Sequence, residues 1–182
     1  MQADGQGKDS RAGVGSASHR VSGPGSDTSR SIDPDPGDDR TTVASGLLFG
    51  AGIAAALIDL FLFHLVLQWH HFYDLSTSRV ALISDGFFHA LAWFVTVWGL
   101  FLLAGVRSRG RVSWGRWSGA VITGVGVFQL IDAVVNHKIL GIHQVRYDVD
   151  ILPYDVAWIG SAVALALVGF WVLRRTGPRR RG

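Results

Sequence analysis

Four apolar runs follow a polar N-terminal segment along this 182-residue chain. Each run is close to the ~20 residues that a membrane-spanning helix requires, and helices are the only spanning structure that runs of this length form in lipid. The runs cover approximately residues 43–68, 80–104, 117–138 and 153–173. The pattern therefore predicts an all-α fold, an integral membrane four-helix bundle over residues 42–175.

Both ends of the chain are polar. Residues 1–40 hold half of the fourteen acidic groups and none of the aromatic residues, so they carry too little apolar surface to offset the entropy lost on folding. We therefore predict a disordered tail over residues 1–41 and a short basic cytoplasmic tail over residues 176–182. Because no apolar run precedes Val43, the first membrane helix is expected to act as its own uncleaved signal.

Arginine residues are distributed unevenly among the links. The link between runs two and three and the segment after run four are rich in arginine, whereas the other two links carry few basic residues and several aspartates. Since an excess of Lys and Arg marks the cytoplasmic side, the pattern predicts a multi-pass plasma-membrane protein with both termini in the cytoplasm. Membrane topology then explains the excess of basic residues in the chain. We therefore expect the lipid bilayer as a partner and do not expect nucleic acid, and a homo-oligomer is left open.

A short polar motif occurs twice. Each copy has the pattern Asp-x4-His-x5-His, and the second copy lies 73 residues after the first. The copies comprise Asp59, His64 and His70, and Asp132, His137 and His143. Each repeating unit contains two membrane runs, so both copies enter the membrane in the same direction, which predicts two parallel two-helix repeats.

The motif spacing does not place all three side chains together on an α-helix. At about 100° per residue, Asp59 and His64 are offset by roughly 140° and point apart. If the helix continued to His70, that ring would share a face with Asp59 but lie about 16 Å above it. The spacing therefore predicts a column of polar groups, or two stacked sites, from mid-membrane to the outer surface.

The polar groups in the outer half of the bundle form the ligand set of a transition-metal site. Imidazole and carboxylate bind Cu, Zn or Fe, while the absence of cysteine excludes thiolate ligands and iron–sulfur clusters bound by this chain. Ionisable residues inside membrane segments indicate function by default. The predicted metal ligands are His64, His70, His71, His89, His137 and His143, which are all the histidines outside the tail. Asp59, Asp85 and Asp132 are predicted to orient these ligands through hydrogen bonds or to relay protons.

Other interpretations of these residues stay open. Asp59 and Asp132 could hold helices together by hydrogen bonds alone, and the histidines at the outer ends could simply be hydrated at the interface. A chain of buried Asp and His residues also suits a proton or cation pathway, which would require an oligomer of such a small bundle. Ligation of haem by two histidines is a further alternative. No catalytic residue is assigned, and whether the protein is an enzyme is left open.

Three histidine-bearing strings lie within the apolar region, namely Asp59–His71, Ser84–His89 and His137–Arg146. Through these strings, residues 45–175 of the chain resemble the DUF2243 family of membrane proteins. The resemblance implies a four-helix integral membrane protein without a settled activity, in which the His and Asp positions are family features. The second repeat departs from the family pattern, which has Glu, Asp and His at the positions of Asp132, Asn136 and Gln144. The resemblance therefore implies a second half-site with fewer anionic or imidazole ligands than in relatives.

Overall fold

The computed structural model describes residues 36–177, and within this range the chain forms four helices that are long and apolar enough to cross a membrane. An all-α membrane bundle is thus confirmed. Helices α1 and α3 each begin as an α-helix and continue as a π-helix, whereas α2 and α4 are α-helical throughout. Helix α1 covers Pro36–Ile53 and then Ala54–Val66, α2 covers Ser78–Arg109, α3 covers Trp114–Ile131 and then Asp132–Ile139, and α4 covers Leu152–Thr176.

Helix α1 begins at Pro36, earlier than the predicted start near residue 43, so residues 36–41 belong to the helix. Proline suits the first turn because its missing N–H would be unpaired there, and Asp38 and Asp39 in that turn interact favourably with the helix dipole. Asp38 Oδ1 accepts from Arg109 Nε and Asp39 Oδ2 from Arg116 Nη2, both at 2.8 Å. These ion pairs connect the start of α1 to α2 and α3. The rest of the predicted tail, and residues 178–182, lie outside the described residues.

Glycines allow the helix backbones to approach closely. A side chain at Gly50 of α1 would overlap the backbone carbonyl of Val121 on α3, and one at Gly124 of α3 would overlap that of Leu47 on α1. Helix α1 also packs against α2, and α3 packs against α4. Because lipid provides no hydrophobic drive between helices, such close packing is a main source of their association.

Large apolar side chains cover the outside of the bundle. On α2, Phe87, Phe94 and Phe101 are each more than 70% exposed. A contiguous apolar surface of this kind marks contact with a membrane or a partner. The exposed aromatic residues therefore fit a bundle that is surrounded by lipid.

Equivalent positions in the two motif copies have the same local backbone. After each π-helix, one backbone N–H donates to the carbonyl five residues earlier, and a second donates to the carbonyl six residues earlier. These bonds, at 2.8–3.0 Å, are Leu67 to Leu62 and Trp69 to Phe63 in the first copy, and Leu140 to Val135 and Ile142 to Asn136 in the second. The sequence repeat therefore extends to the backbone around each motif.

We expect Gly50→Ala to destabilise the bundle by about 1–3 kcal/mol, the usual cost of overpacking an interior, because the new methyl group forces α1 and α3 apart. The matched control is Gly160→Ala on α4, where a Cβ meets no neighbouring atom within 4 Å. That change should be neutral or stabilise by up to about 1 kcal/mol, since alanine favours a helix. Thermal unfolding in detergent measures both, and equal melting temperatures would contradict the proposed role of the α1–α3 contact.

Candidate metal centre

Each copy of the repeated motif folds into a buried group of one carboxylate and two imidazoles. We define the first triad as Asp59, His64 and His70, and the second triad as Asp132, His137 and His143. Within each triad, one nitrogen or oxygen atom per residue lies within 4.8 Å of the other two, and all six residues are buried.

The carboxylate of each triad faces the Nε2 atoms of both histidines. In the first triad, Asp59 Oδ1 lies 3.5 Å from His64 Nε2 and 3.6 Å from His70 Nε2. In the second triad, the oxygens of Asp132 lie 3.1 Å from His137 Nε2 and 3.5 Å from His143 Nε2.

A π-helix brings the first two members of each triad together. Residues five apart are offset by roughly 140° in an α-helix, whereas the i→i+5 bonding of a π-helix stacks them. Asp59 and His64 lie in the π-helical part of α1, and Asp132 and His137 lie in that of α3. The expectation that the Asp and the first His of each motif point apart, which assumed an α-helix, was therefore wrong at both copies.

A sharp turn after each π-helix returns the third member to the carboxylate. Gln68 and Gly141, which are equivalent positions of the repeat, have positive φ angles of 51° and 60°. The π-helical part of α1 ends at Val66, so His70 folds back over the helix end and lies 3.6 Å from the Asp59 carboxylate. The predicted column, with His70 about 16 Å above Asp59 on a continuous helix, was wrong for this reason.

The two triads meet within one chain. The rings of His70 and His143 stack with centroids 4.8 Å apart and planes 3° from parallel. Each ring also reaches into the other repeat, because His70 Nδ1 contacts the carbonyl oxygen of Val145 and His143 Nδ1 contacts that of Phe72, both at 2.9 Å. Four imidazoles and two carboxylates therefore form a single buried cluster.

These contacts fix which ring nitrogen carries the proton. A carbonyl or carboxylate oxygen only accepts hydrogen bonds, so the Nδ1 atoms of His70 and His143 must donate. His64 Nδ1 likewise donates to Asp85 Oδ1 at 2.9 Å. In the neutral form of these three rings, the Nε2 lone pair then points toward the triad carboxylate.

Most of the atoms that converge in the cluster have no hydrogen-bond partner, and only the tautomer of His137 is not fixed by a contact at Nδ1. Both carboxylate oxygens of Asp59, Oδ2 of Asp132 and the Nε2 atoms of all four triad histidines are buried without a hydrogen-bond partner. Burial lowers the pKa of His70, which keeps that ring neutral. Because buried polar groups are normally paired, such a cluster calls for cations or shared protons between the acceptors.

Asp85 of α2 supports the first triad from outside. Its Oδ1 atom accepts from His64 Nδ1 at 2.9 Å and from the backbone N–H of Phe72 at 2.7 Å, and its Oδ2 atom accepts from His71 Nδ1 at 2.6 Å. Metal-binding histidines commonly donate their other N–H to a carboxylate in this way, which fixes the ring orientation.

The second triad lacks this support. Trp158 stands at the repeat position equivalent to Asp85, and the Nδ1 atom of His137 is buried without a partner. Asp132 Oδ1 in turn accepts a hydrogen bond from Asn136 Nδ2 at 2.8 Å, so one carboxylate oxygen is already used. The two triads therefore have the same ligand types and different surroundings.

Two of the predicted ligands lie outside the triads. His71 contacts Asp85, and His89 Nε2 accepts from Trp93 Nε1 at 2.9 Å. Conversely, Asp59 and Asp132, which were predicted to orient ligands, place their own oxygens inside the triads. Sequence reasoning missed the carbonyl groups that hold the stacked histidines, since any residue type supplies a carbonyl.

Four membrane-length helices around paired, buried Asp/His triads define the class as an integral membrane protein with a candidate metal centre in its bundle. The chain belongs to the DUF2243 family of predicted membrane proteins, whose family profile matches residues 45–176. This match confirms the resemblance found in the sequence. No curated protein and no solved structure matches the chain.

Proposed function

We propose that this protein binds two transition-metal ions, one in each triad. The observation that supports the proposal best is the convergence, in both triads, of buried carboxylate oxygens and imidazole Nε2 atoms that have no hydrogen-bond partner. A cation satisfies all of these acceptors at once. Hydrogen bonding between helices, by contrast, requires a donor on one side of each contact.

The triad dimensions are close to those of a coordination sphere. A metal about 2.0–2.1 Å from each nitrogen and oxygen ligand separates two ligands by roughly 3–3.5 Å. The carboxylate–imidazole distances of 3.1–3.6 Å match that separation with little adjustment. Two imidazoles and one carboxylate suit Zn, Fe or Cu and leave coordination positions for a further ligand.

The ring arrangement supports metal ions over haem. A haem held by two histidines lies between their rings, whereas His70 and His143 stack directly with centroids 4.8 Å apart. The Nε2 atoms of all four triad histidines instead approach a carboxylate. A carboxylate at this position supplies negative charge to a cation and has no place in a bis-histidine haem site.

We also propose that the triads lie toward the outer face of the plasma membrane, with both termini in the cytoplasm. Arg109 and Arg116, which form ion pairs with the start of α1, belong to the arginine-rich link. The triads lie near the opposite ends of α1 and α3, at the links poor in arginine. The excess of arginine supports a cytoplasmic position for the ion-paired end.

Elemental analysis of the full-length protein purified in detergent tests metal binding. After reconstitution with Zn, Cu or Fe in turn, we expect one of these metals to reach two ions per chain, one for each triad. The double variant His64→Ala/His137→Ala should retain less than about a tenth of that metal, because each triad loses a ligand.

The matched control is His89→Ala, which removes a histidine outside both triads and should bind metal like the unmodified protein. Circular dichroism checks that each variant keeps its helices. Unchanged metal content in the folded double variant would contradict the proposal, and so would a protein that takes up none of the three metals. A metal-free protein would favour the proton or cation pathway, which ion flux in liposomes measures.

A further inference from the structure

A cavity of ≈ 230 Å³ opens between α1 and α2 on the lipid-facing side of Asp85. Its walls are mostly apolar, and two of them, Leu65 and Leu82, are at least half exposed at the surface of the bundle. The cavity is lined by Leu60, Leu65, Leu82, Asp85, Gly86 and His89. Asp85 follows the start of α2 by about 10 Å along the helix axis, and with the proposed orientation this depth lies in the outer half of the membrane.

Two polar side chains line this apolar cavity one helical turn apart. Asp85 accepts three hydrogen bonds, from His64, His71 and the Phe72 backbone. A carboxylate has about four lone-pair sites, so one site is left for another donor. At the other position, His89 Nε2 accepts from Trp93 Nε1, which makes Nδ1 the N–H donor of the neutral ring.

The cavity therefore offers an acceptor and a donor at separate points along an apolar wall. Residues four apart on a helix are about 5–6 Å from each other at Cβ. A ligand that satisfies both points needs a hydroxyl group at one end and an oxygen acceptor at the other, and a small ring with two oxygens at opposite positions has this arrangement. The size agrees, because an apolar cavity of about 150 Å³ is enough to hold benzene, and this one is larger at ≈ 230 Å³.

We propose that this cavity binds the headgroup of a lipid-soluble quinol, with one hydroxyl group donating to Asp85 and the other oxygen accepting from His89. The apolar side chain of such a molecule extends past Leu65 and Leu82 into the bilayer. Because Leu65 and Leu82 are exposed on the apolar outside of the bundle, the ligand would enter the cavity from the lipid.

Gly86 keeps the space open. A Cβ at this position meets no neighbouring atom within 4 Å, so a larger side chain fits without displacing the backbone. Gly86→Leu would fill the cavity while leaving both polar groups in place. The matched control is Gly160→Leu on α4, where a Cβ also meets open space.

The test measures tryptophan fluorescence quenching by decylhydroquinone, under anaerobic conditions, with the full-length protein in lipid nanodiscs. We expect saturable quenching with the unmodified protein and with Gly160→Leu. Gly86→Leu should weaken binding at least about 10-fold through lost space, and His89→Ala up to about 10-fold through a lost hydrogen bond. Decylbenzene, which has the same ring and chain without oxygens, should not compete.

Quenching that rises linearly without saturation would overturn the proposal, because it indicates simple partition into lipid. Equal competition by decylbenzene would overturn the two-point recognition, and unchanged affinity in Gly86→Leu would exclude this cavity as the site. Metal content provides an independent readout. His89→Ala should lose quinol affinity and keep its bound metal. If only the metal proposal fails, the unmodified protein will contain no metal and will still show saturable quenching.

Discussion

Asp59→Asn should weaken metal binding at the first triad by at least about 100-fold and leave the ion in the second triad bound. Asp59 is the only anion of its triad, and both of its carboxylate oxygens are buried without a hydrogen-bond partner. Asparagine keeps the size of the side chain but removes the charge, so two neutral imidazoles alone would face the cation. This loss exceeds the 10–100-fold range of groups that only orient a ligand.

Metal content after dialysis against a chelator of graded concentration measures this effect at each triad. The reciprocal variant Asp132→Asn should release the other ion. The control is Asp155→Asn, which removes a partly buried carboxylate that pairs with Lys138 and lies outside both triads. Two tightly bound ions in Asp59→Asn would contradict the ligand role. Simultaneous loss of both ions would mean that the stacked rings of His70 and His143 make the cluster bind as one unit.

The membrane fold was predictable because it depends on length and composition. A run of about 20 apolar residues has only one stable spanning conformation, whatever its detailed sequence. The start of α1 was less predictable, since Asp38 and Asp39 are polar and become helical through ion pairs with Arg109 and Arg116 of distant segments. Hydropathy does not report such long-range contacts.

The triads were predictable as a set of residues but not as a geometry. The repeated Asp-x4-His-x5-His motif identified five-residue spacings that an α-helix cannot use, and the π-helix resolves them by changing the bonding register. Apolar periodicity does not reveal such a register change. At Gly141 the sequence does carry a signal, because glycine after a helix commonly adopts positive φ and ends it. At the equivalent Gln68 no such preference exists, so the turn that returns His70 was hidden.

The position of His89 shows a second limit. It follows Asp85 by one helical turn and was predicted as a metal ligand, with Asp85 predicted to orient ligands or relay protons. Asp85 is buried at 5% exposure and points toward the first triad, whereas His89 is only partly buried and contacts Trp93. Of these two neighbours only Asp85 therefore reaches a triad histidine, and spacing alone does not show which of them does.

The asymmetry between the triads leads to a second large effect. Asp85→Asn should lower the metal affinity of the first triad about 10–100-fold and leave the second triad unchanged. In the unmodified protein, Asp85 accepts from His64 Nδ1 at 2.9 Å, which fixes the ring and makes Nε2 a stronger donor of electron density to a metal. Asparagine keeps one carbonyl acceptor but removes the negative charge and places an NH₂ group among the donors of His64, His71 and Phe72.

Competition with a chromophoric chelator, titrated with the metal found to bind, measures the two affinities separately. The unmodified protein should release its ions in two steps, the second triad first, because His137 Nδ1 has no partner and Asp132 shares an oxygen with Asn136. In Asp85→Asn the two steps should converge, since the first triad loses the support that distinguishes it. Asp155→Asn should keep both steps. If Asp85→Asn instead shifted only the release step of the weaker ion, Asp85 would act on the second triad. That result would contradict the proposal that Asp85 acts on the first triad through His64.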